Sequence, residues 1–220
     1  MISKGAWIYV YAFLFILGII ALGYYIPRTS FNLSLAIFGG CFILYWRLYL
    51  ISSLRKSWWD LFVLAIILRL VLLFSLPHWS DDYVRFLWDG QMVNEGYNPY
   101  THTPTEALEQ WHFKDKGLMD RLYPLLNSPD YHSVYTPSNK LVFSLADYLS
   151  KGVVLSGVMM IRLILFVFEM LAFYFIYLLL RLFHQPPQKL LLYALNPLVI
   201  MEISGNLHFE GMMFTMILAG

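Results

Sequence analysis

The residues best suited to chemistry lie in SDDYVRFLWDGQMVNEGYNPY, which begins at Ser80 directly after an apolar run. Asp81 and Asp82 supply two adjacent carboxylates, a group that can accept a proton in general acid–base chemistry. The pattern predicts a helix capped by Ser80 that runs to about Glu95, with Gly96 past its end. The same pattern also fits a capped helix at a membrane surface, so both interpretations stay open.

The charges within this helix are spaced so that they can share one face. Arg85 lies four residues from both Asp81 and Asp89 and three from Asp82. Exposed ion pairs of this kind contribute little to stability. The sequence Asn98-Pro99-Tyr100 then predicts a turn.

A second polar stretch, HSVYTPSNKLVFSLA, predicts another short helix. Pro137 should precede it and Ser138 should cap it. Its apolar face is expected to contain Val142, Leu145 and Leu149, with three polar residues beside its entry: His132, Tyr135 and Asn139. A turn onto the membrane surface is favoured here over direct chemistry.

A third stretch, LNPLVIMEISGNLHFEG, combines a helix break with clustered polar residues. Asn196-Pro197 should interrupt an apolar span, and four polar residues follow: Glu202, Asn206, His208 and Glu210. Polar groups at membrane depth are costly and often functional. The His-x-Glu pair offers only two metal ligands, and a hydrogen-bonded cap is an equal alternative.

These stretches must be positioned by membrane helices, because the chain is 59% hydrophobic and only 13% charged. Runs of about 20 apolar residues can cross a bilayer as helices. We predict an all-α, polytopic membrane protein with about six spans, forming one transmembrane domain over 1–220 that is the N-terminal part of a longer protein. The spans fall near 6–26, 31–51, 58–77, 156–181, 189–204 and from 211. The segment 78–152 is expected to be a large outer loop of short interfacial helices without a core of its own.

Basic residues in the short links set the expected orientation. They should lie on the cytoplasmic side and are Lys4, Arg47, Arg55, Lys56, Arg181 and Lys189. The N-terminus is then cytoplasmic and 78–152 lies outside the cell membrane. Arg69 and Glu169 fall near the middle of two spans, at a depth that would let them form a pair.

Taken together, the three motifs resemble bacterial multi-spanning glycosyltransferases of the GT-C class. Over about 78–220 they are most similar to the polyprenol-phosphate-mannose-dependent mannosyltransferase-like group. The resemblance implies an inverting transferase that moves a hexose, such as mannose, from a polyprenyl-phosphate donor to an acceptor hydroxyl of a glycan or lipid at the outer membrane face.

The resemblance also implies roles for individual residues. Asp81 or Asp82 matches the catalytic carboxylate of the first large outer loop, and the choice between them stays open. Arg162, nearer the outer face, is the candidate for the donor phosphate. The predicted substrate-binding set is Arg85, Trp88, Asp89, Asn98, Tyr100, Tyr135, Arg162, Asn206, His208 and Glu210. No cofactor is required by the pattern, although a divalent metal would be compatible with it.

Two other functional classes fit parts of the sequence. A transporter or lipid flippase would place polar groups near mid-membrane, as Arg69 and Glu169 do. Such proteins often carry inverted repeats, and this sequence shows no internal repeat. A non-catalytic membrane scaffold would leave Asp81 and Asp82 replaceable. The composition gives no basic run that would indicate a nucleic-acid partner, and the single cysteine, Cys41, excludes an internal disulfide.

Overall fold

A computed structural model describes residues 7–53 and 58–220, and this part of the chain is helical, without a β-strand. The α-helices are α1 (Trp7–Tyr24), α2 (Phe31–Ser53), α3 (Trp59–Leu70), α4 (Asp82–Asn94), α5 (Pro104–Gln110), α6 (Lys116–Leu122), α7 (Pro137–Ser150), α8 (Val154–Leu182), α9 (Leu191–Ala194), α10 (Pro197–Val199) and α11 (Glu210–Ala219). Two 3₁₀ turns cover Tyr123–Leu125 and Pro187–Leu190, and a π-helix covers Ile200–Gly205. The all-α prediction is confirmed for the described residues.

Within residues 7–53 and 58–220, three helices are long and apolar enough to cross a membrane: α1, α2 and α8. The count of about six spans is not confirmed. The predicted span at 58–77 contains α3, which has only 12 residues before the chain turns. The predicted span at 189–204 is divided by the expected break, because the Asn196 side chain accepts a hydrogen bond from the Leu198 N–H (2.9 Å) and starts a new helix. The last predicted span coincides with α11, which has 10 residues.

The described chain divides into two compact units, which we call the membrane unit (1–79 and 165–220) and the inserted unit (80–164). The membrane unit has an apolar core that includes Phe15, Leu48 and Leu68. Within it, Arg69 and Glu169 form the predicted pair, with Nη2 and Oε1 2.7 Å apart and both side chains buried. Lys4, Arg55 and Lys56, on which the predicted orientation partly depends, lie outside the described residues.

The inserted unit has a core of its own, contrary to expectation. Its central contact is between α4 and α7, where Phe86 stacks on Phe143 with ring centroids 4.6 Å apart. Gly90 permits this approach, because a Cβ atom there would overlap the backbone carbonyl of Phe143. The core was missed because its apolar residues come from separate short segments rather than from one continuous run.

Of the apolar face predicted for α7, only Val142 is buried. Leu145 and Leu149 are exposed, whereas Lys140, Phe143 and Asp147 are buried. The predicted cap was wrong by two residues: Thr136 is the N-cap and Pro137 is the first helical residue, the position that proline's fixed φ angle favours. Two polar residues therefore lie on the inner face of this helix, and leucines lie on its outer face.

Candidate active site

The start of α4 places the two adjacent acids in different surroundings. Asp81 occupies the N-cap position and Asp82 is the first helical residue. The predicted Ser80 cap is wrong by one residue, although the Ser80 hydroxyl still accepts a hydrogen bond from the Asp82 N–H (3.3 Å). Asp82 is hydrogen-bonded to the hydroxyl of Tyr135, which comes from the segment before α7.

Asp89 is the centre of a buried polar network. One carboxylate oxygen accepts from Arg85 Nε (2.9 Å), and the other accepts from the Ser133 hydroxyl (2.6 Å) and from Lys140. The Arg85–Asp89 contact follows the predicted spacing of four residues, but it is enclosed rather than on the surface, since Asp89 has no exposed area. Removing one partner of a buried pair leaves an uncompensated charge, which is strongly destabilising.

Aromatic rings surround the lysine of this network. Lys140 Nζ lies 5.2 Å from the ring centroid of Tyr100 and 5.4 Å from that of Tyr135. Burial lowers the pKa of Lys140, and the charge and hydrogen bond of Asp89 oppose that change. Burial, followed by the negative charges of Asp82 and Asp89, raises the pKa of Tyr135, so its hydroxyl stays protonated at neutral pH and can donate to Asp82.

A cavity of about 310 Å³ adjoins this network and is lined by Arg85, Ser133 and Tyr135 together with His132. Arg85 is only 5% exposed, and its Nη1 donates to the carbonyl oxygens of Ser128 and Tyr131. Its Nη2 is buried and has no hydrogen-bond partner within the described residues. A buried donor without a partner is costly, and this nitrogen is enclosed by the protein rather than exposed to the cavity.

The remaining predicted substrate-binding residues of the inserted unit lie in varied positions. Trp88 has no exposed area, and its indole nitrogen is buried without a partner within the described residues. Because Trp88 and Asp89 are both enclosed, this arrangement does not support direct sugar contact by either.

Asn98 forms the predicted turn, accepting from the Tyr100 N–H (3.0 Å), and the Tyr100 hydroxyl donates to the carbonyl of Tyr135. Arg162 is buried on α8, at 2% exposure.

The polar residues of the third motif cluster within the membrane unit. His208 Nδ1 lies 2.7 Å from Glu202 Oε2, and the Asn206 side chain also hydrogen-bonds Glu202. Both contacts are set by the turn after the π-helix, where the His208 N–H bonds the carbonyl of Glu202. Glu210 lines the same cavity as Glu202 and His208. No group of three or more potential metal ligands occurs among the described residues.

Sequence reasoning missed three polar residues of these clusters: Ser133, Lys140 and Tyr193. Lys140 precedes Phe143 by three residues and Asp147 by seven, a spacing that puts all three on one helical face. That signal was available, but it was outweighed by the leucines of the opposite face. Ser133 and Tyr193 gave no such signal, because Ser133 bonds Asp89 across 44 residues and Tyr193 lies within an apolar run.

The structure defines a class of protein: an all-helical membrane protein with a polar cavity. Arg85 and Tyr135 line this cavity, and the Asp82 carboxylate lies beside Tyr135. Residues 24–220 match the MptA_B family, described as alpha-(1->6)-mannopyranosyltransferase, N-terminal domain. The chain therefore belongs to this family of mannosyltransferases, which confirms the resemblance drawn from its motifs. Comparisons with curated proteins and with solved structures gave no match.

Proposed function

We propose that the protein transfers mannose from a polyprenyl-phosphate-linked donor to an acceptor hydroxyl at the outer membrane face, with inversion at the anomeric carbon. Membership of a mannosyltransferase family supports mannose as the sugar. Three membrane-length helices support a donor that is itself held in the bilayer. An inverting transferase that forms an α linkage needs a β-linked donor, so the donor proposed is the β-mannosyl phosphodiester.

The observation that carries the proposal is the hydrogen bond between Asp82 and Tyr135, a tyrosine that lines the same cavity as Arg85. In the proposed step, the Asp82 carboxylate takes the proton of the acceptor hydroxyl as its oxygen attacks the anomeric carbon. The bond from that carbon to the phosphate oxygen breaks, and the polyprenyl phosphate leaves with the electron pair. The positive charge of Arg85, which lines the cavity, stabilises the phosphate as its negative charge increases.

Asp82 is preferred over Asp81 because the structure links it to the cavity through Tyr135. Tyr135 orients the carboxylate, and the buried Asp89 network holds Arg85 and the segment around Ser133 in position. Asp89 thus acts as a positioning residue in this proposal, and the Tyr100 hydroxyl supports Tyr135 by donating to its carbonyl. Trp88 packs against Phe113 and Tyr123 in the core of the inserted unit. Arg162 remains a second candidate for contact with the donor phosphate.

The transporter alternative rested on the mid-span charges. Arg69 and Glu169 are accounted for by their mutual pairing, by the bonds from Arg69 Nη1 to the carbonyls of Ala65 and Ala194, and by the bond from Ser204 to Glu169. These contacts give both residues a structural role within the membrane unit. The family match further favours the transferase.

The test is a membrane assay of the full-length protein with radiolabelled polyprenyl-phosphate mannose and an α-mannoside acceptor. Asp82→Asn keeps the side-chain shape and removes its basicity, and it should lower turnover about 100-fold or more. Asp81→Asn is the matched control and should retain most of the activity. Normal turnover in Asp82→Asn would refute its role as the base. Transfer from a soluble sugar nucleotide, but not from the lipid donor, would refute the donor class.

A further inference from the structure

Helix α7 has an inverted distribution of charged and apolar residues. Its two charged residues, Lys140 and Asp147, are both buried. Its exposed face instead consists mainly of large apolar or aromatic residues, which are Leu141, Leu145, Tyr148 and Leu149. A helix that lies between a protein core and water carries its charged side chains on the outward face. The outward face of α7 therefore does not have the composition of a surface that water covers.

The exposed residues follow one face along the whole helix. Leu141, Leu145 and Leu149 are spaced four apart, and Tyr148 is three residues beyond Leu145, so these side chains are neighbours. Leu141 is 72% exposed and Tyr148 is 74% exposed. A contiguous apolar surface of this kind commonly marks contact with another molecule or with a membrane.

A membrane-length helix follows this face directly. Helix α8, which is long and apolar enough to cross a bilayer, begins at Val154, four residues after the last residue of α7. A chain of that length spans at most about 14 Å, so the end of α7 lies close to the start of α8. Val153 and Leu155, at this junction, are also exposed. Exposed apolar residues thus continue along the chain from α7 into α8.

The length of α8 indicates the depth at which it begins. Its 29 residues extend about 43 Å, which is close to the roughly 40–45 Å of a bilayer with its headgroup regions. A helix of this length that crosses the bilayer begins among the lipid headgroups, and α7 lies within reach of the same level. Amphipathic helices at this level bury their apolar face about 5–10 Å into the boundary between headgroups and acyl chains.

We propose that α7 lies in the plane of the bilayer surface and that lipid covers its exposed leucines. The helix then has apolar surroundings on two sides, since Phe143 faces the core of the inserted unit and Leu145 faces lipid. Burial of a charge is costly without a partner, and both charges of α7 are compensated within the protein: Lys140 by Asp89, and Asp147 by Asn94. The inference depends on α8 crossing the membrane and not on the proposed transfer reaction.

A second copy of the chain fits this face less well than lipid does. Protein interfaces surround an apolar core with a polar rim and carry direct hydrogen bonds. Between Leu141 and Ser150, the only exposed residue of α7 with a polar group is Tyr148. Tyrosine is itself enriched where membranes meet water, because its ring is apolar and its hydroxyl is polar.

The test uses the full chain, without Cys41, in phosphatidylcholine vesicles. Nitroxide labels at Leu145→Cys and Leu149→Cys are compared for collisions with oxygen, which concentrates in lipid, and with a water-soluble nickel chelate. Both labels should favour oxygen and be shielded from nickel. Asp120→Cys, exposed on α6, is the matched control and should favour nickel. Because the exposed face of α7 carries no charge, vesicles that include phosphatidylglycerol should give the same values.

Three results would overturn the inference. Nickel access at positions 145 and 149 equal to that at position 120 would mean that water covers this face. Low access to both reagents, with an immobilised nitroxide spectrum, would mean that a protein covers it. Shielding from nickel only in vesicles with phosphatidylglycerol would mean that headgroup charge rather than apolar surface is recognised. Tyr148→Cys gives a third exposed position, and melting temperatures that match the unlabelled chain verify that each labelled variant is folded.

Discussion

At the residue scale, the inserted unit buries a second carboxylate besides Asp89, that of Asp147 on the inner face of α7. Its side chain accepts a hydrogen bond from Asn94 of α4 (2.7 Å). Burial raises the pKa of Asp147 to about 6, and the negative charges of Asp115 and Glu95 add to the effect, while the Asn94 bond opposes it. The folded protein therefore holds the proton of Asp147 up to a higher pH than the unfolded chain does.

This shift predicts a pH window in which stability changes. Because the folded-state pKa lies above the ordinary aspartate pKa of 3.8, the stability contributed by Asp147 is complete below about pH 4 and is lost as pH rises through about 6. Asp147→Asn removes the titration, so the variant should exceed the wild type by about 3 kcal/mol at pH 8 and match it near pH 4. Melting temperatures in detergent from pH 4 to 8 measure this difference.

Glu109→Gln serves as the control for this experiment, because Glu109 is exposed and its replacement should leave the pH profile unaltered. A variant at position 147 that keeps the same pH profile as the wild type would contradict the prediction.

Two ion pairs show what residue spacing alone could and could not predict. The Arg85–Asp89 pair was expected from a separation of four residues on one helix, and it occurs. Its burial was not predictable, because the residues that cover it come from the segment before α7. Lys140 joins Asp89 across 51 residues of sequence, and no local pattern indicates such a contact.

At the element scale, α3 and α8 are joined by the Arg69–Glu169 pair. Two bonds connect Arg69 to Glu169 Oε1, from Nε at 2.9 Å and from Nη2 at 2.7 Å. Phe173, one turn along α8, lies 4.8 Å from the guanidinium carbon and adds a cation–π contact. The ion pair thus links α3 to α8, where the rings of Phe62 and Phe173 are also in contact.

A double-mutant cycle tests this pairing. Arg69→Met and Glu169→Gln should each destabilise the protein by about 3–5 kcal/mol, because each leaves the other group buried without its main partner. The double variant should lose less than the sum of the two. Chemical or thermal unfolding in detergent gives the three values.

The exposed residue Arg47 provides the control for the cycle, since Arg47→Met combined with Glu169→Gln should be additive. Additive losses in the Arg69 and Glu169 cycle as well would mean that the two side chains do not interact.

Helix boundaries were predictable to different degrees across the fold. The long apolar helices α1, α2 and α8 fall close to their predicted spans, and Gly96, with a φ of 86°, follows α4 as expected. The shorter elements were less predictable because tertiary contacts override local pattern. Helix α7 is the clearest example, since its leucines face outward and its lysine and aspartate face inward.

At the scale of the whole molecule, the orientation across the membrane remains a proposal. Arg47 and Arg181 lie in the C-terminal parts of α2 and α8, and Lys189 lies in the 3₁₀ turn after α8. Under the positive-inside rule these basic residues favour the cytoplasmic side. The inserted unit would then face outward, as the proposed chemistry at the outer face requires.

Labelling of single cysteines in intact cells tests this orientation. In a background lacking Cys41, Asp120→Cys should react with an impermeant maleimide, whereas Ser53→Cys should react only after the membrane is permeabilised. Both positions are exposed, so differences in labelling report their side of the membrane rather than burial. The reverse pattern of labelling would invert the proposed topology.

The ion pair between α3 and α8 also has a consequence for how the protein is made. Arg69 and Glu169 are separated by 100 residues, and the whole inserted unit is translated between them. At a synthesis rate of about 5–20 residues per second, the arginine precedes its partner by about 5–20 seconds. During that interval the nascent helix carries a guanidinium that its finished core would bury. The membrane unit can therefore complete its assembly only after the ribosome has synthesised the inserted unit and α8 as far as Glu169.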